Sequence, residues 1–334
     1  MSRSLPPNPI RPTVSLDAPG KRHGFLALPH SRNDSAWGSV MIPICVVVGA
    51  PGPTALLTGA NHGDEYEGPI ALQALAAEVR AEEVHGRLLI VPAMNLPAFR
   101  AGTRVSPIDG VNLNRAFPGD PRGSVTQKIA DYFQRVLVPM ADLVVDFHSG
   151  GKTLDFLPFA CGHVLEDAAQ QAACEAAVRA FNAPYSMILR EIDSVGMYDS
   201  AVEAQGKVFV TTELGGGGTA TARSSRIAHR GLRNVLIHGG FLEGKPDVVP
   251  SVMLDMPGDD CYHMAPTAGL VEPLVDLGEP VRAGDPLARI WSAERTGVAP
   301  VIVEARRAGL LVARHFPGLV QLGDCLAVLA EVRG

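Results

Sequence analysis

The sequence predicts an α/β fold followed by a small all-β domain, and three features of its 334 residues carry that expectation. Between about residues 40 and 245, short apolar runs alternate with longer amphipathic stretches, the pattern of a sheet covered by helices. Four of those runs are apolar without alternation, as strands buried on both faces are. After Lys245 the texture changes to short β-prone runs broken by Gly, Pro and Asp. A larger unit is therefore expected over residues 1–248, opening with a β-rich extension over residues 1–40, and a β domain over residues 249–334.

Residues 40–59 are the most apolar region, but Pro43, Pro51 and Pro53 cut it short of a membrane span, so it reads as two strands. The interior strands are expected at residues 55–58, 88–91, 143–147 and 208–210. Helices are expected over residues 69–80, over 125–137, bracketed by Ser124 and Pro139, and over the alanine-rich stretch 165–181. In the tail, Ala268-Gly269-Leu270 and Gly284-Asp285-Pro286-Leu287-Ala288 are echoed by Ala308-Gly309-Leu310 and Gly323-Asp324-Cys325-Leu326-Ala327. That weak repeat resembles the barrel-sandwich of lipoyl and biotinyl carrier domains. No lysine follows Lys245 to carry a cofactor, so the tail is read as a structural or dimerising cap.

Hydrophobic residues make up 46% and charged residues 19%, which fits an ordered globular chain. The net charge is −6 and no Lys/Arg cluster occurs, so neither nucleic acid nor an anionic membrane is an expected partner. Residues 1–14 are polar and proline-rich, unlike the apolar core of a secretory signal. Cys45, Cys161, Cys174, Cys261 and Cys325 are scattered and odd in number, which suits reduced thiols in a cytoplasm.

The chemistry is expected at strand ends. After residues 55–58 comes Gly59-Ala60-Asn61-His62-Gly63-Asp64-Glu65, with an imidazole and a carboxylate three residues apart in a tight loop. A third ligand, His148, follows the apolar run 143–147 and precedes Ser149-Gly150-Gly151. Ligand sites of open α/β sheets gather at the carboxyl ends of strands. Two imidazoles and one carboxylate form a catalytic zinc set with one coordination position left for water. Glu213, ending the run that holds residues 208–210, supplies a general base and acid. Arg115 with Asn114 suits an α-carboxylate, and Arg104 a developing oxyanion. The glycines 215–218 lack the pattern of a phosphate-binding loop and read as a flexible lip that turns close to the substrate. His23, His30, His163, His229 and His238 read as surface or helix-end histidines, and Tyr66, Tyr185 and Tyr198 as core or rim packing.

The ordered set His62-x-x-Glu65, Arg104, Asn114-Arg115, His148 and Glu213 resembles the succinylglutamate desuccinylase and aspartoacylase family of the metallocarboxypeptidase superfamily, over nearly the whole chain. The resemblance implies a zinc-carboxypeptidase-like mixed sheet flanked by helices. It also implies one zinc per chain on His62, Glu65 and His148, with Glu213 as base and acid, Asn114 and Arg115 on the α-carboxylate and Arg104 beside the carbonyl. One departure from aspartoacylase is Val105-Ser106-Pro107, which lengthens the interval between Arg104 and Asn114. The segments Asp34-Ser35-Ala36-Trp37-Gly38-Ser39-Val40, Asn61 to Gly68, Glu191 to Asp199 and Thr212 to Gly218 look like the branch that deacetylates Nα-acetyl-L-2,4-diaminobutyrate in ectoine degradation.

A cationic substrate would need a negative partner. Asp155, Glu191, Asp193 and Asp199 are the candidates, with Glu191 and Asp193 foremost. The resemblance further implies a homodimer. The same metal set also suits a deacylase of the acetylaspartate or succinylglutamate type or a peptide carboxypeptidase, and a non-catalytic zinc module is the reading from a different class.

Overall fold

The computed structural model of the chain describes residues 6–189 and 194–333. Its strands are β1 (Arg11–Pro12), β2 (Gly20–Pro29), β3 (Ser39–Val48), β4 (Ala50–Gly59), β5 (His85–Val91), β6 (Leu143–His148), β7 (Leu154–Phe156), β8 (Phe159–His163), β9 (Tyr185–Leu189), β10 (Val208–Glu213) and β11 (Val252–Asp255). The helices are α1 (Glu67–Glu78), α2 (Leu96–Ala101), α3 (Val125–Tyr132), α4 (Val138–Met140), α5 (Ala168–Phe181), α6 (Tyr198–Glu203) and α7 (Ala222–His238). The tail adds β12 (Tyr262–Met264), β13 (Gly269–Pro273), β14 (Pro280–Val281), β15 (Pro286–Trp291), β16 (Val301–Glu304), β17 (Gly309–His315), β18 (Leu319–Val320) and β19 (Cys325–Val332).

The four expected interior strands lie side by side, in the order β5-β4-β6-β10, and all run parallel. Antiparallel β3 flanks them on one side and antiparallel β8 on the other, so the sheet is mixed. Every residue of β6 is buried, which explains its unbroken apolar run up to Asp146. One core lies between the sheet and α1, α5 and α7, with Leu72, Phe181 and Leu232 among its members. The other holds Ile129 and Phe133 against Leu56, Leu89 and Val144 on the opposite face. Because the sheet is covered on both sides, only the strand ends are left to form a site.

Ser124 caps α3 in a reciprocal box with Gln127, as the sequence suggests. The helix does not stop before Pro139. A widened turn at Phe133–Leu137 carries it into α4, where proline occupies the first turn of a new segment and needs no amide donor. The expected helix over 165–181 begins at Ala168, after Asp167 accepts from the amides of Ala169 and Gln170.

In the tail, each copy of the weak repeat supplies an antiparallel pair, β13 with β15 and β17 with β19. The sheet β16-β15-β13-β18 packs on the other strands through Ile290, Val303 and Leu326. The tail also continues the main sheet, since β11 runs parallel to β9 and pairs with β19, and β17 pairs with β7. No helix among the described residues is long and apolar enough to cross a membrane.

Candidate metal centre and active site

His62 and Glu65 sit in the loop that leaves β4 at the carboxyl edge of the sheet. Gly63 is required there: a Cβ would lie 2.0 Å from the carbonyl carbon of Ala98 in α2. His148 ends β6, and Glu213, ending β10, stands directly opposite it in the parallel register. Nδ1 of His62 lies 2.8 Å from one oxygen of Glu65, and Nδ1 of His148 lies 2.9 Å from the other. The three residues offer ligand atoms within 4.8 Å of one another, and all three are buried.

This donor set fits a divalent cation. Nδ1 of His62 and Nδ1 of His148 are turned on the two oxygens of the same buried carboxylate, so two imidazoles and one carboxylate converge on a single point, as a cation site requires. His148 is oriented from behind, its Nε2 lying 2.9 Å from Asp146 Oδ2, the outer carboxylate that metal-binding imidazoles commonly carry. Asp146 in turn accepts from Thr58 Oγ1 at 2.6 Å and Asn61 Nδ2 at 3.2 Å. Burial alone would raise Glu65, but the two imidazoles outweigh it and hold the carboxyl well below its usual range. Burial alone would likewise depress His148, yet Glu65 and Asp146 together raise it well above the ordinary imidazole value. His62 is lowered, chiefly by burial.

Glu213 Oε2 is buried and accepts no hydrogen bond among the described residues. Burial, reinforced by the charge of Glu65, pushes this carboxyl up to about 8. A carboxyl so placed can exchange a proton in the neutral range. Arg104 is 41% exposed in its side chain and reaches to 3.8 Å from Glu65, so the inserted Val105-Ser106-Pro107 does not carry it away from the site. Asn114 is buried, with Oδ1 accepting from Asn61 Nδ2 and from the amide of Tyr198, while Arg115 donates to the Asn114 carbonyl at 2.7 Å.

His62, Glu65, Arg104, Asn114, Arg115, His148 and Glu213 all line one cavity of about 430 Å³. Met256, Tyr262, Val312 and Val328 line it as well, so the tail supplies part of its wall. The glycines 215–218 are not a loose lip. Gly215 accepts from the amides of Gly150 and Phe156, Gly218 donates to Gly151, and a Cβ on Gly216 would lie 2.0 Å from the Leu154 carbonyl oxygen. Close backbone approach, rather than mobility, is what these glycines provide.

Of the four acidic candidates for a substrate cation, Glu191 and Asp193 lie outside the described residues. Asp155 is paired with Arg314 of β17 at 3.2 Å, whereas Asp199 lines the cavity. His163 is not a surface histidine: it ends β8, is buried and lies 2.8 Å from Glu203. Its partner could not be read from the neighbouring sequence, because Glu203 is brought to it from 40 residues away. Asp146 was equally overlooked, although its spacing from His148 gives a signal, since residues two apart on a strand share a face. Tyr198 packs in the core against Phe117, as expected.

A sequence model of the succinylglutamate desuccinylase/aspartoacylase catalytic domain matches residues 51–239. The chain belongs to this family. It is 56% identical over 328 residues to the N-alpha-acetyl-L-2,4-diaminobutyric acid deacetylase of Halomonas elongata, covering 98% of this chain and 96% of that protein. The product-bound structure of the ectoine utilization protein EutE (DoeB) from Ruegeria pomeroyi shares 66% identity and superposes with a TM-score of 0.96, covering 98% of this chain and 99% of that one. A succinylglutamate desuccinylase/aspartoacylase structure from Rhodobacter sphaeroides is 42% identical with a TM-score of 0.93, over 97% and 100% of the two chains. The chain is accordingly a hydrolytic deacylase, and its mixed sheet with a strand-rich C-terminal region is that of the family.

Proposed function

We propose that the chain hydrolyses Nα-acetyl-L-2,4-diaminobutyrate to acetate and L-2,4-diaminobutyrate, a step of ectoine degradation, using one zinc ion held by His62, Glu65 and His148. The observation that carries this reading is the convergence of those three donors, Glu213 and the Asn114-Arg115 pair on one cavity. The choice of acyl amino acid follows the full-length similarity to proteins of that name. When bound, the metal polarises the amide carbonyl and lowers the pKa of water. Glu213 takes the proton of the attacking water and delivers it to the nitrogen as the acyl C–N bond breaks, so acetate and a free amine leave. Arg115, fixed through Asn114, holds the α-carboxylate, and Arg104 faces the oxygen on which negative charge grows.

In this reading residues 1–248 carry the chemistry and residues 249–334 cap the site. A cavity of about 430 Å³ lies toward the small end of ligand pockets, which favours a free acyl amino acid over a peptide. The five free thiols suit a reducing cytoplasm. A homodimer completes the proposal, and light scattering on the purified chain tests it.

The test of function is acetate release from Nα-acetyl-L-2,4-diaminobutyrate by zinc-loaded protein, beside acetylaspartate, succinylglutamate and a peptide. Preference for the first, abolished in Glu213→Gln with zinc retained, is the expected result. Preference for another acyl amino acid would overturn the substrate, and turnover of none would overturn the reaction.

A further inference from the structure

The cavity has an apolar side that the chemistry above does not use. Phe159 of β8 stands directly opposite Glu213 in the antiparallel pairing, as His148 of β6 does in the parallel one. Directly opposed residues of neighbouring strands project from the same face of a sheet. His148, Glu213 and Phe159 therefore form one row across the cavity floor, with Glu213 between an imidazole of the metal centre and an aromatic ring. The Phe159 ring meets Phe156 of β7 edge to face at 5.7 Å. Val312 of β17, Val328 of β19 and Met256, just beyond β11, belong to the same apolar cluster as these two rings. All five side chains line the cavity.

The polar groups of the substrate are answered elsewhere. Arg115 and Asn114 suit the α-carboxylate, and Asn114 is bonded to Asn61 just beyond β4, on the far side of β6 from Phe159. A carboxylate or ammonium set against Phe156, Phe159, Met256, Val312 and Val328 would lose its hydration and find no partner among them, which is costly. The apolar part of such a substrate is the alkyl portion of its acyl group. A single acetyl methyl cannot touch five side chains brought together from β7, β8, β17, β19 and the end of β11, whereas a chain of several carbons can.

We infer that this wall is an acyl-chain subsite, so that the enzyme also hydrolyses Nα-acyl amino acids whose acyl group is an unbranched aliphatic chain longer than acetyl. Water adds its oxygen to the acyl carbon and the acyl C–N bond breaks. Both protons of the water end on the nitrogen, the first of them through Glu213, so a short-chain fatty carboxylate and an ammonium leave. The inference rests on the diaminobutyrate reading for the amino-acid half of the substrate and extends it to the acyl half.

The test measures kcat/KM of the zinc-loaded protein for Nα-acetyl-, Nα-propionyl- and Nα-butyryl-L-2,4-diaminobutyrate. The value should rise along the series by up to about fourfold per methylene, the equivalent of about 0.8 kcal/mol. A butyryl compound turned over less well than the acetyl one overturns the inference. Val328→Phe fills the subsite and should lower the butyryl-to-acetyl ratio, which within one variant does not depend on the folded fraction. An unchanged ratio in that variant overturns the assignment of the wall. Should Val328→Phe fail to fold, Val328→Thr, which keeps the volume but sets a hydroxyl against the chain, is read the same way. Calorimetric binding of acetate, propionate and butyrate to the wild type needs no variant: affinity should rise with chain length, and equal or falling affinity overturns the inference. Failure of the wild type to hydrolyse any of the three acyl compounds would instead sink the proposed function, a separate result.

Discussion

Replacing Asp146 tests the proposed metal centre without touching His62, Glu65 or His148. Its carboxylate is buried and serves three donors at once: Thr58 Oγ1 at 2.6 Å, His148 Nε2 at 2.9 Å and Asn61 Nδ2 at 3.2 Å. Losing an outer carboxylate behind a metal-binding imidazole costs about 10- to 100-fold in metal affinity, or roughly 1.4–2.7 kcal/mol. Asp146→Asn keeps one oxygen acceptor, and its amide can face the Thr58 hydroxyl, so the lower figure applies. Asp146→Ala removes the shorter of the two hydrogen bonds made by Thr58 Oγ1 and by Asn61 Nδ2, leaving only the 3.3 Å contacts to the Val145 carbonyl and Asn114 Oδ1, so the fold itself should also weaken. The assay is zinc competition against a chromophoric chelator at fixed pH, with thermal melts of the metal-free protein alongside. The expected order of affinity is wild type above Asp146→Asn above Asp146→Ala. Wild-type affinity in both variants would refute the claim that Asp146 orients His148.

Four further outcomes follow from the structure. Gly63→Ala places a Cβ 2.0 Å from the Ala98 carbonyl carbon; overpacking of that kind costs about 1–3 kcal/mol, so a lower melting temperature and weaker zinc retention are expected, and wild-type values for both would contradict the packing. Zinc uptake should release protons and weaken as pH falls, because His148 is raised well above its ordinary value and must lose a proton to bind; calorimetry in buffers of differing ionisation enthalpy reads this, and proton-neutral uptake would count against it. By the same sign, His148 in the metal-free protein contributes stability that is fully present below the unfolded imidazole value of about 6.5 and is lost as pH rises through the raised folded one, which pH-dependent melts check. Truncation after residue 248 strips Leu254, Val312 and Val328 from a core shared with Phe159 and Met187, so the fragment should aggregate; a soluble fragment acting as a peptide carboxypeptidase would disprove the shared core.

The parts of the fold that were legible in sequence are those set by short-range physics. The parallel strands β4, β5, β6 and β10 are apolar on both faces and read directly, and Ser124 marks its helix by local hydrogen bonding. The strand-end rule places His62, Glu65, His148 and Glu213 on one edge, where β4, β6 and β10 end. What was not legible depends on partners distant in sequence. His163 looked ordinary because Glu203 reaches it only through the packing of α6 on the sheet. The glycines 215–218 looked mobile because their reason, the backbone of Leu154 and Gly151, lies some 60 residues upstream. Pro139 looked like a helix stop because the widened turn before it has no signature in residue type.

The junction between the two parts of the chain follows from the same long-range contacts and bears on selectivity. β7 leaves the His148 loop and pairs with β17, while Gly217 lies beneath the ring of Phe316 just beyond that strand. Asp155, on β7, is neutralised by Arg314 of β17. The loop that follows His148 is thereby clamped to the tail by backbone pairing, by an ion pair and by an aromatic ring packed against glycine. A displacement of the tail would move residues 149–156, whose Ser149 amide donates to Glu65, and so would disturb the carboxylate between His62 and His148. The tail therefore does more than cover the cavity. It lines the cavity with Met256, Tyr262, Val312 and Val328 and, through β7, holds the loop whose Ser149 amide donates to the carboxylate lying between His62 and His148.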